Sequence, residues 1–140
     1  MRKLILILLF FTFQFANAQQ ADVKKVIEEF FVAFHAKDTI KIKDFCDDKM
    51  MLKIIEENKN QVFTESFSDF LKSIAGAPKD MKFQENLLSY DIKIDGKLAS
   101  VWSPYEFYIN GKLSHKGVDV FQLFYDEKQW KIISLIYNIR

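Results

Sequence analysis

The sequence predicts an α+β domain, with helices packed on one face of a curved antiparallel sheet. Two observations carry this. Between Ala21 and Ala36, Val23, Val26, Ile27, Phe30, Phe31 and Phe34 recur at three- and four-residue steps, which is the period of one helix face. Beyond Leu87 the chain turns to apolar and aromatic runs divided by Asp95-Gly96, Asn110-Gly111 and the polar break Asp126 to Gln129. Helices first and a meander last is the order expected of an α+β architecture.

The first eighteen residues read as a leader. Arg2 and Lys3 give a positive start, Leu4 to Phe13 form an apolar run broken only by Thr12, and Ala16-Asn17-Ala18 supplies a small-x-small cleavage pattern. The run is shorter than the roughly 20 apolar residues that span a bilayer. Export to the periplasm or the medium, with cleavage before Gln19 and no membrane anchor afterwards, is expected. Removing Arg2 and Lys3 takes the formal charge from +1 to −1. What remains, 19–140 or about 122 residues, suits a single domain.

The elements follow in order. The first helix presents Lys24, Lys25, Glu28 and Glu29 opposite its apolar face. A short second helix follows the Asp38-Thr39 cap and ends near Phe45 or Cys46. Lys49 to Glu56 is too continuously apolar for a surface helix and reads as a strand, with Gln61 to Thr64 as a short return. Ser66 and Asp69 form a helix-opening pair. Phe67, Phe70, Leu71 and Ile74 make that third helix's face, and Gly76 with Pro78 stops it. Four strands are expected at roughly 84–94, 97–109, 112–125 and 130–139.

Several chemistries are excluded by residue type. Cys46 is the only cysteine, so no internal disulfide forms, and its setting beside Phe45 suits a buried small apolar residue. His35 and His115 lie far apart in no ligand motif, so neither a metal nor a cofactor is expected. No basic stripe with interleaved aromatics appears, which argues against nucleic acid. Arg140 is the only arginine after the leader, so an anion-gripping site would have to rely on lysine or backbone amides.

The hairpin from Val101 to Phe124 carries the functional signal, because Tyr105, His115 and Asp119 interrupt its apolar face. Register decides which side chains share that face. A two-residue turn at Asn110-Gly111 would pair Glu106 with His115 and Trp102 with Asp119. A three-residue loop, Ile109 to Gly111, would pair Tyr105 with His115 and Phe107 with Leu113. The second gathers Val101, Tyr105, Phe107, Leu113, Phe121 and Leu123 on one side and is preferred. His115 and Asp119, four residues apart on one strand, then lie roughly 13 Å apart and cannot form a hydrolase-type pair unaided. Gly117 and Pro104 read as sites of a hollow or bulge. Three roles stay open for the polar set: a satisfied core with Asp119 near the rim, a pocket wall, or proton transfer.

The helix order, the Asp38-Thr39 step, the Tyr105-x-Phe107…Gly111…His115-x-Gly117 strand pair and Trp130-Lys131-Ile132 together resemble the nuclear-transport-factor-2-like superfamily, including its SnoaL-like branch. The resemblance implies a cone-like α+β domain, three N-terminal helices on the concave sheet face, an internal pocket, and often a dimer through the outer sheet face. Its enzyme templates fit poorly. A steroid-isomerase type needs a helix-borne Tyr and an early-strand carboxylate, where this chain has Phe30, Phe31 and Phe34, and Lys53 as the only charge between Met50 and Ile55. An epoxide-hydrolase type needs an arginine. A scytalone-dehydratase-like set is matched only in type by Tyr105, His115 and Asp119.

The leading expectation is an exported, non-catalytic protein with a pocket for a small apolar or aromatic ligand. Phe30, Phe34, Tyr105, Phe107, His115, Asp119 and Phe121 would line it. The alternatives are a lyase or isomerase with His115 as acid–base, Tyr105 orienting and Asp119 setting charge, or a homodimeric interaction module. That module would pair through Trp102, Tyr108, Val118, Val120 and Phe124. A ligand site requires a cavity of roughly 300 Å³ or more at Tyr105 and His115.

Overall fold

The computed structural model describes residues 2–140, with side chains from Ala18 onward. The leader expected at 1–18 therefore lies outside the described side chains except at Ala18. The elements are α1 (Arg2–His35), α2 (Thr39–Phe45), β1 (Cys46–Glu56), β2 (Gln61–Ser66), α3 (Phe67–Gly76), β3 (Phe83–Leu87), β4 (Asp91–Asp95), β5 (Leu98–Ile109), β6 (Lys112–Tyr125) and β7 (Trp130–Ile139). The strands form one curved sheet in the order β2-β1-β7-β6-β5-β3, and β4 also pairs with β5. All pairings are antiparallel except β1 with β7. That parallel pair departs from the expected all-antiparallel sheet. It is possible because α3 and five strands separate β1 from β7, far more chain than a parallel crossover requires.

The helices cover the concave face. Val23, Ile27, Phe30 and Phe31 of α1, Ile42 of α2, and Phe67, Leu71 and Ile74 of α3 meet Val101, Phe121, Leu123, Ile132 and Leu135 from the sheet in one buried cluster. Cys46 belongs to this cluster, and burial pushes its thiol up to about 12. The thiol therefore stays protonated and behaves as a small apolar group.

Caps set the helix boundaries. The Asp38 carboxylate accepts from Lys41 N at 2.9 Å, opening α2. Ser66 Oγ accepts from Asp69 N at 3.1 Å and donates to Asp69 Oδ2 at 2.7 Å, opening α3. Ser66→Ala is expected to lower stability by about 1 kcal/mol in urea denaturation, and an unchanged midpoint would remove the cap from the account.

The strand expected at 84–94 is two strands. Leu87 pairs with Tyr105 and Asp91 with Trp102, so three residues oppose two across the break. Pro104 supplies the reason, because it has no N–H to continue the ladder. Leu88 N donates to the Pro104 carbonyl at 2.8 Å, and Ser103 Oγ satisfies the Ser89 carbonyl at 2.5 Å. The bend separates β3 from β4.

The hairpin adopts neither expected register throughout. Asn110 and Gly111 both have positive φ and form a two-residue turn, with Ile109 opposite Lys112 and Tyr108 opposite Leu113. A bulge then shifts the ladder by one residue, placing Phe107 opposite His115, Tyr105 opposite Gly117 and Ser103 opposite Asp119. Beyond the bulge the inward set keeps Val101, Tyr105, Phe107 and Phe121, as the preferred register required. Leu113, expected inside, lies before the bulge and is 52% exposed. The bulge restores the apolar face that a strict two-residue turn would have turned outward.

Candidate functional site

Where β6 meets the end of β7, Gly117 lets the Asn138 backbone approach closely. A Cβ on Gly117 would stand 1.9 Å from the Asn138 carbonyl oxygen. That carbonyl accepts from the Tyr105 hydroxyl at 2.8 Å, while Asn138 Oδ1 accepts from Val118 N at 2.7 Å. Asn138 Nδ2 donates to the Glu57 carboxylate. The Asn138 side chain thus supplies the acceptor for the β6 amide while its own carbonyl turns toward Tyr105. Tyr105 is 2% exposed, and burial together with the nearby Asp119 raises its hydroxyl well above its ordinary pKa. Its hydroxyl is committed to Asn138 and does not bond to His115.

Above this anchor lies a partly open cavity of about 220 Å³, lined by Phe30, Phe31, Phe34, Phe70, Glu85, Tyr105, Phe107, His115, Asp119, Leu135 and Tyr137. Its volume falls below the expected 300 Å³, because four phenylalanines from α1 and α3 project into it. Phe34 and Phe70 stack with centroids 6.1 Å apart, and Phe34 packs on Phe83 at 4.9 Å. His115 lies against Phe107 at 4.9 Å and meets Tyr105 edge-on at 5.8 Å, so the two expected neighbours touch diagonally. Burial lowers the His115 pKa, which keeps its ring neutral. Phe121 is fully buried beneath Phe31 at 6.0 Å and is not among the lining residues. Phe30, Phe34, Tyr105, Phe107, His115 and Asp119 all are.

Asp119 is not at the rim. It is 1% exposed, and no donor reaches its Oδ2. Its carboxyl faces that of Glu85, a residue on β3 that sequence reasoning missed and that lines the same cavity. Burial first, then the neighbouring Glu85 charge, raises Asp119 well above the carboxylate range. Burial likewise pushes Glu85 up to about 7, against the Asp119 hydrogen bond that draws it down. Two facing carboxyls in an apolar wall are both held toward the protonated form, Asp119 the more strongly.

Glu85 is held from behind. Its backbone N–H, at the free edge of β3, donates to His35 Nε2 at 2.8 Å. This contact requires the neutral His35 ring, and burial lowers the His35 pKa accordingly. The signal for Glu85 was strand parity: Phe83-x-Glu85-x-Leu87 places a carboxylate at an inward position between two apolar residues. Tyr137 was hidden by a bulge in β7 between its pairings with Leu123 and Gln122, which exchanges the strand's faces.

No protein-family model matches this chain, and no curated protein is similar to it. Solved structures are. A nuclear-transport-factor-2-like protein from Cytophaga hutchinsonii superposes with a TM-score of 0.71 at 13% identity, over 87% of this chain and 98% of that one. The chain has the nuclear-transport-factor-2-like fold. A second such protein, of unknown function, from Silicibacter pomeroyi gives 0.66 at 17% identity, over 89% and 98%. The beta subunit of benzoate 1,2-dioxygenase from Burkholderia mallei gives 0.71 at 14% identity, over 86% and 89%. In this nuclear-transport-factor-2-like domain the cavity lies between the helices and the concave sheet face, and among the described residues no three His, Cys, Asp or Glu converge as metal ligands.

Proposed function

We propose that the protein binds a small, largely apolar ring compound in the cavity and holds it without transforming it. The observation carrying this reading is a partly open hollow with aromatic walls and one polar wall, Glu85 and Asp119. Such sites bind through apolar area and orient through a few convergent polar groups. A dry cavity of roughly 150 Å³ accepts benzene, so 220 Å³ suits one ring with a short substituent. Benzyl alcohol is expected to raise the melting temperature and to perturb the aromatic NMR signals of Phe34 and Phe70. Phe34→Trp, which fills the hollow, should abolish both effects. An unchanged response in that variant would place binding elsewhere.

The carboxyl pair favours a second reading, acid–base catalysis as a lyase or isomerase. Asp119 would donate and Glu85 accept a proton, in place of the His115 role expected from the sequence. Turnover lost in Asp119→Asn with ligand binding retained would select this reading over simple binding.

Export after removal of the leader belongs to the same proposal, as does pairing of two copies through the outer sheet face. Trp102 is 54% exposed there and, with Val118, Val120 and Ile136, lines a shallow apolar groove. Light scattering that finds only monomer at high concentration would remove the pairing.

A further inference from the structure

The charge inside the cavity narrows the class of ligand. Eleven residues line it, and none is Lys or Arg. Two of them, Asp119 and Glu85, are carboxylic acids in the same wall, and Asp119 Oδ2 is buried without any protein donor. The remaining walls are aromatic faces and Leu135. We infer that the preferred ligand is a small aromatic or cyclic monocation, an amine whose ammonium sits between the Asp119–Glu85 pair and the rings of Phe34, Phe70 and Tyr105. This rests on the pocket reading above and adds the sign of the ligand's charge.

The physical argument is one of compensation. A buried carboxylate is expensive unless it is paired. Without ligand, a retained proton is what the protein itself offers the pair. An ammonium brings both the missing donor and the missing charge, and aromatic faces attract it further. A carboxylate ligand would add a third acid to a wall with no cation, and a neutral alcohol would leave the charge unbalanced.

The other titratable groups facing the cavity do not supply a cation. His115 on β6 and His35 behind Glu85 are both held toward the neutral form by burial, while Tyr105 on β5 and Tyr137 on β7 are raised phenols. Arg140 acts on Tyr105 from the groove on the opposite sheet face, and Glu56 and Glu65 act on Tyr137.

Three probes of one shape test this: benzylamine, benzyl alcohol and benzoate, titrated calorimetrically into the full chain at pH 7.5. Benzylamine should bind at least tenfold tighter than benzyl alcohol, and benzoate should not bind. Below pH 7, where Glu85 takes up a proton, benzylamine affinity should fall by up to tenfold per pH unit, with proton release on binding, while benzyl alcohol affinity stays flat. Glu85→Gln should erase the preference, bringing the benzylamine and benzyl alcohol affinities to within about twofold of each other. Equal or tighter binding of benzyl alcohol or benzoate, or a preference that survives Glu85→Gln, overturns the inference while leaving the pocket standing. Failure of all three probes overturns both.

Discussion

Gly117→Ala is expected to destabilise the protein by about 3 kcal/mol or more in urea denaturation. The added Cβ would meet the Asn138 carbonyl oxygen at 1.9 Å, its Oδ1 at 2.7 Å and its carbonyl carbon at 2.9 Å. Backbone atoms cannot rotate aside as a side-chain tip can. They are also held, since the carbonyl accepts from Tyr105 and Oδ1 accepts from Val118 N. Relief of the clash therefore breaks part-buried hydrogen bonds and frees the ring that floors the cavity. Gly76→Ala is the matched control: no atom lies within 4 Å of its Cβ and it sits within α3. That substitution should be neutral or stabilise by up to about 1 kcal/mol. A Gly117→Ala loss below about 1 kcal/mol would show that the strand end yields easily, and the close approach would not be what secures Tyr105.

Stability should fall as pH rises from 6.5 to 8.5, and Asp119→Asn should flatten that fall. Asp119 and Glu85 are both raised, Glu85 to about 7, so the folded state retains a proton that the unfolded chain has already released above its ordinary carboxylate range. Their contribution is complete at low pH and is lost as pH climbs through the raised values. A proton retained only in the folded state weakens folding by about 1.4 kcal/mol per pH unit, so Glu85, releasing its proton near 7, accounts for a loss on the order of 1 kcal/mol over this window, and Asp119 adds to it in the same direction. The histidines act with the opposite sign, at and below their ordinary pKa. His35 and His115 are lowered, so what they contribute is present above their ordinary pKa and lost on acidification. Asn at 119 keeps an N–H donor for the Glu85 carboxylate without a proton to lose, so its alkaline limb should be shallow. Parallel curves for the two proteins between pH 6.5 and 8.5 would place the retained proton elsewhere.

Much of the fold was legible in the chain because it depends on local signals. The Asp38 and Ser66 caps and the Asn110-Gly111 turn act over a few residues, and each appears where those residues put it, while α1 ends at His35 near its expected end but begins at Arg2 and not at Ala21. The strand bounds 112–125 and 130–139 followed from turn chemistry alone. Parity also placed Tyr105, Phe107, His115 and Asp119 on one inward face, even though their partners across the hairpin were assigned two residues away from those observed.

What only the tertiary structure decided is what lies opposite these residues. Bulges in the β5–β6 and β6–β7 pairings reset register and hid Tyr137, because a bulge is chosen by which side chains the whole sheet must bury. Pro104 forces a break, but on β5's neighbour, and pairing of β3 with β5 sets Glu85 beside Phe107 on a strand remote in sequence from Asp119. The protonation of that pair then follows from burial and proximity, neither of which a linear pattern contains. The sequence by itself determined an α+β domain with a leader pattern and a polar-studded inward face. Folding alone brought Glu85 to Asp119, since a charge's environment is set by the groups packed around it and not by its neighbours along the chain.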